Sequence, residues 1–120
     1  MELDKAIEGY RSIRERLQKS WSSPSQLSDL GVKMATYGTY IGDYLADAEA
    51  LYELNKSKAY IEALRAKKSA TQADMESRAE NAETRAEAIR LKIIHKDLFS
   101  LVSIIQSRLR ILENEQRSNI

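Results

Sequence analysis

Cysteine is absent from this chain of 120 residues. Its absence excludes disulfides, thiolate nucleophiles and thiolate metal sites, and leaves the fold indifferent to redox compartment. One proline and four glycines provide little punctuation for sheets and tight turns. No apolar run approaches the ~18 residues of a membrane-spanning helix, and Met1-Glu2-Leu3-Asp4 lacks a basic-then-apolar leader pattern. A cytoplasmic location is therefore expected. An excess of one charge is missing too. Nineteen basic residues stand against eighteen acidic ones, a net charge of +1, which argues against a dedicated non-specific nucleic-acid binder. With 42% apolar and 31% charged residues, the composition suits one helical domain over 1–120 with a modest core.

What is present is helical periodicity, strongest between Ser23 and Lys68. Ser23-Pro24-Ser25-Gln26 reads as a helix start: serine at N-cap, proline at N1 and glutamine at N3 closing a capping box. Leu27, Leu30, Met34, Tyr37, Ile41, Tyr44, Ala48 and Leu51 then alternate at steps of three and four, a coiled-coil-like heptad stripe. Leu54, Ile61 and Leu64 continue an apolar face one step over. The same helix carries small residues at helical spacing, Gly31, Ala35, Gly38, Gly42 and Ala46. Each interior glycine costs about 1 kcal/mol against alanine. Their recurrence points to close approach by a neighbouring helix, within the chain or across a dimer, or else to a bend near 38–42. Tyr37, Tyr40 and Tyr44 flank this stripe and are expected to pack with it. Asp43, Asp47, Glu49 and Glu53 surround them, the wrong charge for an aromatic strip that stacks bases. Unbroken from 24 to 68, this helix outgrows a compact monomer. It either breaks or needs a partner, and a homodimer is the simplest oligomer.

The expected fold class is all-α: an elongated antiparallel hairpin or bundle with three main helices, about 2–21, 24–68 and 84–116, and one short helix near 72–82. Leu3, Ile7, Tyr10, Ile13, Leu17 and Trp21 share a face in the first. The Ser20-to-Pro24 turn leaves Trp21 two roles, a staple over a hairpin end or an exposed interface anchor. Ser69 and Thr71 compete to start the short Ala-Glu-Arg helix. The last helix carries Leu91, Ile94, Leu98, Leu101, Ile105, Leu109 and Leu112, widened by Ile89, Ile93, Phe99, Val102, Ile104 and Ile111. Its tail from Glu113 to Ile120 is expected to fray.

Candidate chemistry is sparse. His95, the only histidine, reads as a packing residue. Asp43 with Asp47 and Glu49 with Glu53 share helix faces, but the Glu-x-x-His motifs that complete helix-borne carboxylate metal sites are missing. No phosphate loop, HExxH, zinc or EF-hand spacing occurs, so no cofactor, metal or catalytic residue is expected. Charge is uneven along the long helix. Residues 24–55 hold one lysine against five acids, whereas 56–68 hold five basic residues against one acid. Lys56, Lys58, Arg65, Lys67 and Lys68, joined by Lys92 and Lys96 from the last helix, are candidate phosphate contacts.

The Tyr40-to-Tyr52 helix, the Lys56-to-Leu64 segment, the Met75-to-Ala88 linker helix and the end Arg108-Leu109-Arg110-Ile111-Leu112 together form an order of elements. It resembles small all-helical accessory proteins of tailed bacteriophages, encoded near replication and recombination genes. That resemblance implies a phage accessory factor working in the host cytoplasm and assigns no catalytic residue. The leading expectation is a non-enzymatic helical protein that binds another protein. A nucleic-acid-binding accessory protein comes second and a structural coiled-coil spacer third.

Overall fold

A computed structural model describes residues 1–118, all-α among them: α1 (Leu3–Lys19), α2 (Pro24–Arg65), α3 (Ala70–Glu80) and α4 (Ala82–Ser118). Three main helices and one short one match the expected class. No helix is long and apolar enough to cross a membrane among the described residues.

The helix ends follow local chemistry. At the start of α2 the capping box forms as read: the Gln26 amide donates to Ser23 Oγ at 3.2 Å, and the Ser23 amide donates to Gln26 Oε1 at 3.0 Å. The other end falls short of residue 68. Lys67 takes φ 64°, its amide donates to the Leu64 carbonyl and the Lys68 amide donates to that of Ala63. This is a Schellman stop with lysine where glycine is usual. Ser69 Oγ, accepting from the Gln72 amide, starts α3 at Ala70, ahead of the expected residue 72. Asn81 alone separates α3 from α4. The tail expected to fray is helical as far as Ser118; its last two residues, Asn119 and Ile120, lie outside the described residues.

The chain divides into two compact units, Met1–Gly42 with Ile93–Ile120, and Asp43–Lys92. In the first, α2 runs antiparallel to both neighbours. Gly31 faces Ile105, Gly38 faces Leu98 and Gly42 faces His95 on α4, while Gly9 of α1 faces Tyr37. Its core is built of large side chains: Ile7, Tyr10, Ile13 and Leu17 from α1, Leu27, Leu30, Met34 and Ile41 from α2, and Ile94, Leu98, Leu101 and Ile105 from α4. Each such burial stabilises by about 1.5–3 kcal/mol. Tyr10 bridges α1 to α4 by donating to the Asp97 carboxylate. It also accepts from Arg14 Nη1 at 3.1 Å, and Arg14 lies 3.6 Å from Asp97. Burial and the bond to Asp97 push the Tyr10 hydroxyl pKa up.

The second unit is built differently. Its buried residues are Ala63, Ala73, Ala88, Leu91, Ser77 and Asn81. Ser77 Oγ donates to the Asp74 carbonyl and the Asn81 amide group to the Ser77 carbonyl, so both buried polar groups are satisfied. Lys68 pairs with Glu76 across the α2–α3 turn.

The heptad reading of α2 needs correction here. Its buried positions are Leu27, Leu30, Met34, Gly38 and Ile41, followed by half-buried Leu45, Ala48, Tyr52 and Ala59, and buried Ala63. These steps follow the ~3.6-residue period of an ordinary α-helix. A strict heptad drifts about 20° per repeat against that period. After Ile41 the three-four stripe has therefore rotated off the packed face, and Tyr44 and Leu51 are exposed. No break occurs at 38–42, which lies inside α2.

Candidate interaction surface

The turn between α1 and α2 places the tryptophan. Ser20 ends α1 in extended conformation, and Ser22 sits at φ 62°. For a residue with a Cβ that conformation costs about 1–2 kcal/mol. Between them Trp21 remains 48% exposed. Arg108 of α4 secures the turn from both sides. Its Nη1 donates to the Ser20 carbonyl at 3.2 Å, and its guanidinium lies 5.1 Å from the centre of the Trp21 ring. Trp21, Ile104, Ile111 and the small Ser103 and Ser107 line an apolar groove of about 320 Å³ beside this arginine. Ile104 and Ile111 are both exposed. The groove's tryptophan and arginine are residue types on which binding energy concentrates at protein interfaces.

The small-residue stripe is occupied from within the chain at three of its glycines. A Cβ on Gly38 would lie 2.8 Å from Leu98 Cδ2, and one on Gly42 would lie 3.0 Å from His95 Nε2. At Gly31 the nearest atom is Ile105 Cγ2 at an ordinary 3.5 Å. Ala35 is exposed. His95 packs edge-on against Phe99, ring centres 4.8 Å apart, with its imidazole over Gly42. The tyrosines separate. Tyr37 is half-buried over Gly9, a contact that the sequence reading missed, whereas Tyr40 and Tyr44 are exposed.

Acidic side chains accompany several of the basic residues. Lys56 is 3.2 Å from Glu53 and lies over the Tyr52 ring, and Lys68 is held by Glu76. Lys92, expected beside Arg65, Lys67 and Lys68, instead lines a groove with Glu49, Glu53 and Tyr52. Lys96 belongs to the other unit. Lys58, Arg65 and Lys67 are exposed. No group of three or more acidic or histidine side chains able to hold a metal occurs among the described residues.

No family model, curated protein or solved structure matches this chain.

Proposed function

We propose that this is a non-enzymatic helical protein that binds another protein, with the Trp21–Arg108–Ile104–Ile111 groove as the contact surface. The observation that carries the reading is Trp21. A large aromatic side chain is kept half in water by a turn that is strained at Ser22 and fastened by Arg108. Tryptophan and arginine are the residues on which binding energy most often concentrates. A phage accessory role in the host cytoplasm belongs to the same proposal and rests on the resemblance alone; gene neighbourhood tests it.

Nucleic-acid binding ranks lower because acids accompany Lys56, Lys68 and Lys92, leaving few cations for phosphates. The test has two arms. Capture from bacterial and phage-infected lysates is expected to retrieve a defined protein, and Trp21→Ala or Ile104→Asp to abolish that capture while helicity is unchanged. Titration with single- and double-stranded DNA across a salt series is expected to show no sub-micromolar binding at physiological salt. Tight DNA binding that is lost when Lys67 and Lys68 are neutralised would reverse the order.

A further inference from the structure

A second three-four repeat, in a different register from the stripe that leads into the core, lies on the water side of α2 in the second unit. Tyr44, Asp47, Leu51, Leu54, Lys58 and Ile61 follow one another at steps of three, four, three, four and three, and all six are exposed. Leu51 and Leu54 are each about half accessible, at 51% and 52%. The packed residues of this segment, Leu45, Ala48, Tyr52, Ala59 and Ala63, centre about 120° round the helix from this exposed repeat. Among the described residues, neither Asp47 nor Lys58 has an ion-pair partner. A strict three-four repeat is the seam of a two-helix coiled coil, and here it is unpartnered.

We infer that the occupant of this seam is the same segment of a second copy, running antiparallel about a two-fold axis between Tyr52 and Glu53. In that register Leu51 meets Leu54 of the second copy, Asp47 meets Lys58, and Tyr44 meets Ile61, each layer occurring twice by symmetry. Two leucine layers form the centre, two charge pairs flank them, and two aromatic–aliphatic layers close the ends. Sliding by one heptad in either direction sets Asp47 or Lys58 against leucine. Parallel pairing sets Asp47 on Asp47 and Lys58 on Lys58. The antiparallel register is thus chosen by charge, as polar seam positions do in coiled coils. The seam shares no residue with the Trp21 groove, so dimerisation and partner binding fail independently.

Sedimentation equilibrium of the full chain tests this inference, with charge-swapped variants whose helicity is checked by circular dichroism. The wild type is expected to dimerise reversibly in the micromolar range. Asp47→Lys and Lys58→Asp alone should each weaken the dimer by about tenfold or more, and the double variant should recover it. Because the chain has no native cysteine, Asp47→Cys and Lys58→Cys report register. A mixture of the two should cross-link to each other rather than to themselves. Trp21→Ala should leave the dimer intact. A wild type that stays monomeric at about 100 micromolar, well above the micromolar range expected here, would overturn the inference. So would a double variant no better than the singles, or Asp47→Cys chains that cross-link among themselves.

Discussion

The two halves of α2 carry comparable aliphatic residues with opposite fates. Leu27, Leu30, Met34 and Ile41 are buried in the first half, whereas Leu51, Leu54, Ile61 and Leu64 are exposed in the second. Nothing in their hydrophobicity separates the two sets. The difference lies in phase and in what the neighbouring helices offer. Opposite the first half, α1 and α4 present Ile7, Ile13, Leu98 and Ile105. In the second unit the buried neighbours are mostly small, Ala73, Ser77 and Ala88 beside Leu91, and the packed face of α2 carries half-buried Leu45, Ala48, Tyr52 and Ala59 and buried Ala63. Leu51, Leu54 and Leu64 are left on the exposed side. An apolar stripe becomes a statement about packing only once its period is compared with the ~3.6 residues of a helical turn.

The sharpest way to break this contrast is truncation on each side of it. Leu98→Ala, in a site with no accessible surface, is expected to cost about 2–5 kcal/mol. Leu64→Ala, at 41% exposure, should stay within about 0.5 kcal/mol. Urea denaturation of both variants decides the matter; equal losses would mean that the second half is as tightly packed as the first.

Glycines sharpen it next. A Cβ at Gly9 would meet the Tyr37 ring, 2.6 Å from Cε2, so Gly9→Ala should lower stability by about 1–3 kcal/mol through overpacking. Gly31→Ala meets only ordinary contact with Ile105 at 3.5 Å. It should raise stability by up to about 1 kcal/mol through helix propensity. Thermal melts moving in the same direction for both would refute the packing difference between these positions.

The smallest effect is expected from alkali. The Tyr10 hydroxyl is raised above its ordinary value of 10.0, chiefly by burial and then by its bond to Asp97. The unfolded chain therefore loses this proton first. The stabilisation is complete below pH 10.0 and fades as pH rises through the folded-state value. Tyr10→Phe should flatten that alkaline decline in denaturation midpoints measured between neutral and strongly alkaline pH. An unchanged slope would show that Tyr10 does not carry it.

Features encoded by neighbouring residues are legible in the sequence. Ser23 with Gln26 announces the start of α2 because both partners of the capping box lie within one turn. The stripe through Leu27, Met34 and Ile41 marks the core face correctly, since periods of about 3.5 and 3.6 residues barely differ over two repeats. The same stripe misleads at Tyr44 and Leu51, where the drift has accumulated. The end of α2 reads too long because Lys67 adopts a left-handed conformation without the glycine that signals it. Recurring Gly31, Gly38 and Gly42 announce close approach; that Leu98 and His95 supply it depends on contacts with a helix far along the chain. Tyr10 with Asp97 and Tyr37 with Gly9 are likewise long-range and leave no local pattern. For the candidate surface, Trp21 and its two possible roles are visible in the sequence. Arg108 emerges only when α4 comes alongside the turn.

The most direct measurement of the central contrast is native-state hydrogen exchange along α2, made on Asp47→Lys at a concentration where sedimentation shows it monomeric, so that association does not protect the second half. Amides of Leu27–Ile41 are predicted to exchange at least about tenfold more slowly than those of Leu45–Ala63, a difference of about 1.4 kcal/mol or more in opening free energy. Uniform protection from one end of α2 to the other would contradict the account, because the small-residue packing of the second unit would then hold its helix as firmly as the aliphatic core holds the first.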